Sequence, residues 1–410
     1  MKTISFLLLL LSLLFSCQSK KTTVQVFEGI DTQTIEKSAQ NMTLDNEPPR
    51  EIVVDMAAEN KILPLSTWAD SISYIRLETT SDALIGSVDK LMLCDSVIYI
   101  MDRKKSRGIY AFSTDGIFLR KIGNVGQGPG EFNEPTDFSV SQDKIYVYDQ
   151  FAHRLSTFTT AGKFLGDRPV PFFGIGMHAF NDSTFAWHTL DADNFHLKNL
   201  VGYSVLLSDS TDHVTKRGFY RKPKKYASIW VSENFQGNDS IILYHPPLSG
   251  NLYAISPTGT ITPKYHIDFK EHTLPESYLW EENWKQFTDE NTQRKYLLFP
   301  GEFYENDIAL YFVYLKKHVH HYAIYEKQCH KLWLTENIKN DLFPALPFGQ
   351  MKAAHGNKFI TMVSPADLLY AYKQLSPDQR QEILGTDGIR LLSELEEEDN
   401  PILIISHWRK

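Results

Sequence analysis

From about residue 62 the chain is a succession of short apolar runs closed by turn residues, and the runs recur. Ile98-Tyr99-Ile100-Met101-Asp102 is echoed by Ile145-Tyr146-Val147-Tyr148-Asp149 at an offset of 47. Phe112, Gly116, Phe118 and Leu119 return as Phe158, Gly162, Phe164 and Leu165 at an offset of 46. A further copy, Ile255-Ser256-Pro257-Thr258-Gly259, lies 97 residues beyond Phe158 to Gly162, leaving room for one diverged unit between them. That unit is read in Asp182 to Trp187 and Tyr203 to Leu207, with a turn at Ser208 to Asp212. A fifth follows at Ile308 to Tyr314 and Tyr322 to Tyr325, and a sixth begins at Phe359 to Val363. Each unit reads strand, loop, strand, Asp/Gly turn, strand. Repeats of 40 to 50 residues with this content predict an all-β chain, a β-propeller. Runs apolar at successive positions suit blades sandwiched between neighbours.

Two stretches leave this pattern. Residues 275–297 have a helical look, with Trp280, Trp284 and Phe287 at helical spacing. Residues 366–398 are helical, with Ser364-Pro365-Ala366-Asp367 and, better, Ser376-Pro377-Asp378-Gln379 as capping boxes. Setting both aside leaves about 46 residues for each of six blades, whereas seven would leave about 39. Asn400-Pro401 stops the last helix, and the lone strand Ile402 to Ile405 has nothing after it to pair with. The equally isolated Ser73-Tyr74-Ile75-Arg76-Leu77 is expected to pair with it, completing the sixth blade and closing the ring.

The N-terminus is an address. After Met1 and Lys2, Ile4 to Phe15 is a 12-residue run in which only Ser5 and Ser12 are not apolar. It is too short to span a ~30 Å hydrocarbon core, so it reads as a signal peptide. Leu14-Phe15-Ser16-Cys17 resembles a lipobox, which makes Cys17 the expected lipidation site and residues 1–16 the removed segment. Residues 17–60, polar and interrupted by Pro48-Pro49, read as a flexible tether, and 61–410 as the propeller. Cys94 and Cys329 fall in distant blades and are expected to be free, buried thiols.

Composition narrows the chemistry. The 42 basic against 50 acidic side chains, net −8, contain no basic block of the kind nucleic acid requires. Gly123-Asn124-Val125-Gly126-Gln127-Gly128-Pro129-Gly130-Glu131-Phe132 lacks the Gly-Lys-Ser/Thr ending of a phosphate loop and reads as a blade crossover; Gln127 and Glu131 are its ligand-contacting candidates. His318, His320 and His321 form a histidine cluster in which His318 and His320 would share a strand face, one ligand short of a metal site. Asp102 and Asp149 end equivalent strands and read as turn caps. Glu394, Glu396, Glu397, Glu398 and Asp399 crowd a helix C-terminus against its dipole.

Tyr74 to Thr79, the Gly-Gln-Gly-Pro-Gly-Glu-Phe string and Asn400-Pro401-Ile402-Leu403-Ile404 together resemble the six-bladed β-propeller lipoproteins of Gram-negative gut-type bacteria, related to NHL-repeat propellers. The resemblance covers roughly residues 62–410 and implies the fold and a lipid-anchored envelope address, at the periplasmic side or the outer membrane. No nucleophile–base pair, catalytic residue or cofactor is legible, a divalent cation being the one considered. The expected function is therefore a monomeric binding or protein-interaction module for a protein, peptide or glycan. The alternative is a metal-assisted hydrolase or lyase acting on glycans or lactones at the central channel.

Overall fold

The computed structural model describes residues 27–189, 194–223, 235–287, 289 and 295–409. Six antiparallel blades follow one another around a ring. Blade one is Lys90–Cys94, Val97–Asp102, Gly108–Ser113 and Phe118–Ile122. Blade two is Asp137–Ser141, Lys144–Asp149, Arg154–Thr159 and Phe164–Pro169. Blade three holds Gly176–Asn181, Thr184–His188, Tyr203–Ser208 and Val214–Tyr220. Blade four holds Gln236–Gly237, Ile242–Tyr244, Asn251–Ile255 and Thr260–Asp268. Blade five is Phe303–Glu305, Ala309–Lys316, Val319–Glu326 and Lys331–Lys339. Blade six takes Gln350–His355, Lys358–Val363 and Ile402–Trp408 from the C-terminal part. Its fourth strand is Ala69–Arg76, paired antiparallel with Ile402–Trp408 from Ile402↔Arg76 to His407↔Ser71. The ring closes where the two isolated strands predicted it.

The core is divided among the blade interfaces. Tyr99, Ile109 and Ile122 of blade one pack on Phe138, Ile145 and Phe158 of blade two. At the other end of the chain, Ile360 and Leu403 of blade six pack on Ile98 and Ile100 of blade one. A strand buried on both sides must be apolar at consecutive positions, which is why alternation is weak in these runs.

The repeat unit owes its regularity to one turn. In blades one, two and four a hydroxyl of Ser113, Thr159 or Ser256 accepts the amide hydrogen of the residue four on, at 3.2, 3.2 and 3.1 Å. Gly116, Gly162 and Gly259 then take φ of +86, +83 and +82°, cheap only for glycine. Blade three does the same with Asp209 as acceptor and Asp212 at φ +63°. Its departure from the Gly consensus is what blurred this copy in the sequence.

A second recurrent device ties the crossovers that enter blades one and two to those blades. Asp102 accepts from the amides of Gly86 (2.7 Å), Ser87 (3.2 Å), Lys105 (2.9 Å) and Ser106 (3.1 Å). Asp149 accepts from Asn133 (2.7 Å), Glu134 (3.3 Å), Phe151 (2.9 Å) and Ala152 (3.0 Å). Both are turn caps, with the same 16- and 15-residue reach back into the crossover.

Three expectations need correcting. Of the tether expected over 17–60, residues 17–26 lie outside the described residues, and the remainder is laid along the outer edges of three blades. Gln40–Asn41 pairs parallel with blade three, Thr43–Leu44 and Arg50–Val53 with blade four, and Glu59–Pro64 with blade five. Backbone pairing needs no side-chain pattern, and pieces this short show no periodicity, but Ile52, Val54 and Leu65 are buried and pin the strap. The helical insert expected over 275–297 is, among the described residues, not one continuous helix: it holds two 3-10 turns, Glu276–Leu279 and Glu281–Asn283, and one α-helical turn, Trp284–Phe287, with 288 and 290–294 outside the described residues. The thiols are free, but Cys94 is half-buried and Cys329 exposed.

The second helical stretch is Pro365–Lys373 and Pro377–Ser393, kinked at Gly385 (φ +60°). Ser376 and Gln379 make the full capping box, whereas the Ser364 side chain makes no cap bond. The acidic C-terminal end is countered by cations: Arg76 reaches Glu394 (3.0 Å) and Asp399 (3.7 Å), and Lys373 reaches Glu397 (2.6 Å).

Asp149→Ala strips four amides of their acceptor at a buried position and is expected to cost about 2–4 kcal/mol in urea unfolding. Asp149→Asn, which keeps one acceptor oxygen, costs less; equal losses would show that the carboxylate is not acting as a cap.

Candidate functional site

Antiparallel order sorts the connections onto two faces. Links between first and second strands, such as Asp95-Ser96 and Gln142-Asp143, and those between third and fourth strands lie on one side and are short. Links between second and third strands and the crossovers emerge on the other. Among the described residues that loop face carries 189, 194–202, 245–250, 269–287 and 295–302 and the helical pair after Val363.

The innermost strands of all six blades surround a channel of 560 Å³, with Met92, Val140, His178, Gln236, Tyr304 and Lys352 each representing one blade. Its polar groups are largely engaged with one another. The Lys90 ammonium reaches Asp137 Oδ1 (2.6 Å) and the Phe138 carbonyl (2.8 Å), joining blades one and two. Asp137 Oδ2 accepts the Met177 amide (2.8 Å) of blade three. His178 Nε2 donates to the Asn238 carbonyl (3.1 Å) beside blade four, and Gln236 donates to the Phe303 carbonyl of blade five. Asn306 donates to Lys358 O (3.4 Å) of blade six, and Lys352 donates to the Val88 carbonyl at the entry to blade one. These bonds tie neighbouring blades together, whereas Asp89, also in the channel lining, bonds on its own side to Ser87 Oγ (2.9 Å) and the Arg103 amide (2.7 Å). Burial lowers the Lys352 ammonium below its usual pKa, against the pull of Asp89 and Glu302. Burial also raises the Glu302 carboxyl, against His320 and Lys352. The Cys94 thiol, which also lines the channel, is pushed up to about 11 by burial and by Asp95 and Asp239, so it is a poor nucleophile at neutral pH.

A second cavity, of 400 Å³, opens on the loop face between blades three and four. Phe219, Tyr220, Tyr244, Phe269 and Phe299 wall it, and Asn251, His266, Arg221 and Glu276 are among its polar side chains. Nothing in the repeat pointed to it, because its residues come from blade ends and crossovers that differ from copy to copy.

The residues singled out in the sequence are dispersed. Cys17 lies outside the described residues. Gln127 is exposed, and Glu131 turns back into its own loop, where its carboxylate accepts the Gly128 amide at 2.8 Å. His318 is not on a strand face with His320: with Lys317 it forms a two-residue turn at φ +52 and +66°, the left-handed pair a tight hairpin requires. His321 is the buried member, its Nδ1 2.7 Å from Glu59 Oε1 of the strap. With Glu336 these two place ligand atoms within 4.8 Å of one another, a spacing compatible with a metal. Lys316 and Tyr314 already bond the Glu59 carboxylate, however, and hold it below its usual pKa against burial. On this showing the cluster clamps the strap to blade five.

Residues 50–407 match the family model described as a domain of unknown function, DUF4934. The chain belongs to the DUF4934 family. This DUF4934 propeller is similar in structure to a Bacteroides fragilis protein described as exported, with a TM-score of 0.70 and 17% identity over 88% of this chain and 100% of that one. It also aligns with a DUF4221 family member from Bacteroides vulgatus, with a TM-score of 0.47 and 9% identity over 83% of this chain and 97% of that one. A search of curated proteins returns no match.

Two buried histidines give the DUF4934 propeller a defined acid response. Burial lowers His178 to about 3 and His245 to about 4, so both are neutral in the native state at pH 7. In the unfolded chain they protonate near pH 6.5, so there the unfolded state binds more protons and stability falls as pH drops from about 6.5 to 5. Each ring contributes up to about 1.4 kcal/mol per pH unit. Urea unfolding across this window should show that slope, and His178→Asn should remove one ring's share; an unchanged slope would contradict the assignment.

Proposed function

We propose that the chain is exported, is anchored in the cell envelope through a lipid on Cys17, and acts there as a binding or protein-interaction module that presents its loop face. The observation that carries this is the division between the faces among the described residues: short turns on one, and on the other the long connections together with the 400 Å³ cavity. Loops on a rigid scaffold are where binding residues concentrate. The engagement of Lys90, Asp137, His178, Gln236 and Lys352 in bonds between blades supports binding over chemistry at the axis. The apolar run before Cys17 supports export, in keeping with the description of the B. fragilis propeller.

Two experiments test this. Cys17→Ser should abolish metabolic palmitate labelling and shift the protein from the membrane to the soluble fraction; retained labelling would overturn the anchor. Photo-cross-linking in intact cells should be blocked by a polymer-maleimide placed at Tyr370→Cys, 68% exposed on the loop-face helix, in a Cys329→Ser background. The same polymer on native Cys329, which lies on the turn face, should leave cross-linking intact. The opposite dependence would overturn the loop-face assignment.

A further inference from the structure

We infer that the loop-face cavity between blades three and four binds a neutral sugar ring, an assignment that rests on the loop-face reading above. The first observation is a break in strand alternation. Successive strand residues point to opposite faces, yet Phe219 and Tyr220 both line this cavity. Phe219 has φ +58°, a conformation that costs a bulky L-residue about 1–2 kcal/mol and is held only where the surroundings fix it. Here the ring is gripped by Tyr244 at 4.6 Å and Tyr253 at 5.0 Å. The strain turns two consecutive aromatic rings onto one wall. Pro246, Pro247 and Leu248 line the cavity as well, with Leu248 also left-handed at φ +53°.

The second observation is the polar pair. His266 Nδ1 lies 2.8 Å from Asn251 Oδ1, and among the described residues no other group bonds the His266 ring or the Asn251 amide side chain. If the imidazole donates, the pair is left with amide N–H donors and the bare Nε2 acceptor. If the Asn side chain is turned about and its N–H donates, the pair is left with the amide oxygen as acceptor and Nε2–H as donor. Either assignment leaves a donor beside an acceptor.

A hydroxyl is the group that is both donor and acceptor, and a pyranose carries adjacent hydroxyls on its edge and a C–H face that packs on aromatic rings. The lining also carries one guanidinium, Arg221, and one carboxylate, Glu276, so it offers an ion no net charge, and a hydrocarbon would bury the pair unsatisfied. The 400 Å³ volume has room for one or two sugar rings within the usual range for ligand pockets.

The test is saturation-transfer NMR on the chain from Gln18 onward. The probes are the methyl glycosides of glucose, galactose, mannose and N-acetylglucosamine, with cellobiose as a two-ring arm and benzoate and phenylalaninamide as non-sugar arms. At least one glycoside should receive saturation through its C–H protons. Tyr220→Ala and Asn251→Ala should each weaken it at least tenfold, and the first, at a ring 58% exposed, should leave the melting temperature unchanged. A stronger response to cellobiose than to its single-ring counterpart would mark a glycan chain rather than a free sugar as the ligand. Silence from every sugar, a signal indifferent to both substitutions, or preference for benzoate or phenylalaninamide overturns the proposal. Sugar silence alongside loop-face cross-linking overturns the sugar assignment and spares the loop-face reading. Sugar binding without loop-face cross-linking upholds the sugar assignment and overturns the interaction-module reading.

Discussion

The pairing of Ala69–Arg76 with Ile402–Trp408 is the constraint on which the other features depend. A propeller blade buries both faces, so each of the six interfaces needs its two neighbours in place. Without the closing strand, blade six would lose one quarter of its sheet and expose a long apolar edge, and its interface with blade one would have no fixed geometry. The joint is reinforced where the chain enters and leaves it. Trp68 stacks on Trp408 at 5.6 Å just before the closing strand, and Asn400 receives the Ile85 amide at 2.7 Å just beyond it. Joining strands more than 300 residues apart is expensive in loop entropy, so this contact forms late or cooperatively with the ring.

Closure also determines where chemistry can reside. With the ring shut, the inner strands converge on an axis where Lys90, Asp137, His178, Gln236 and Lys352 bond from blade to blade. Variation is left to the loop face, whose connections do not have to satisfy the repeat. The strap works in the same sense from outside. By adding parallel strands to blades three, four and five it covers edges that would otherwise be free, with Glu59 gripping Tyr314, Lys316 and His321 as its clamp.

Much of this was legible because it is periodic. The blade count, the closing strands, the capping box at Ser376 and the caps at Asp102 and Asp149 each have a spacing or a residue type that a local physical rule reads. The strap was missed because its pairing is through backbone, in pieces of two to six residues, and its main sequence trace is the buried Ile52 and Val54 after Pro48-Pro49. His321 could not be placed for the same reason, since its partner Glu59 comes from the segment taken for a tether. The aromatic cavity was invisible to a repeat search: it depends on a left-handed Phe219, which no residue preference announces, and on residues brought together from two blades and a crossover.

Native-state hydrogen exchange tests the closure claim most directly. If the ring is one cooperative unit sealed by its first propeller strand, the amides of Ala69–Arg76 that bond to Ile402–Trp408 exchange only through global unfolding, with protection equal to that of the inner strands of blades one and two. Faster exchange of Ala69–Arg76 on its own, with the remaining blades still protected, would show that the propeller stands without its closing strand and would contradict the account.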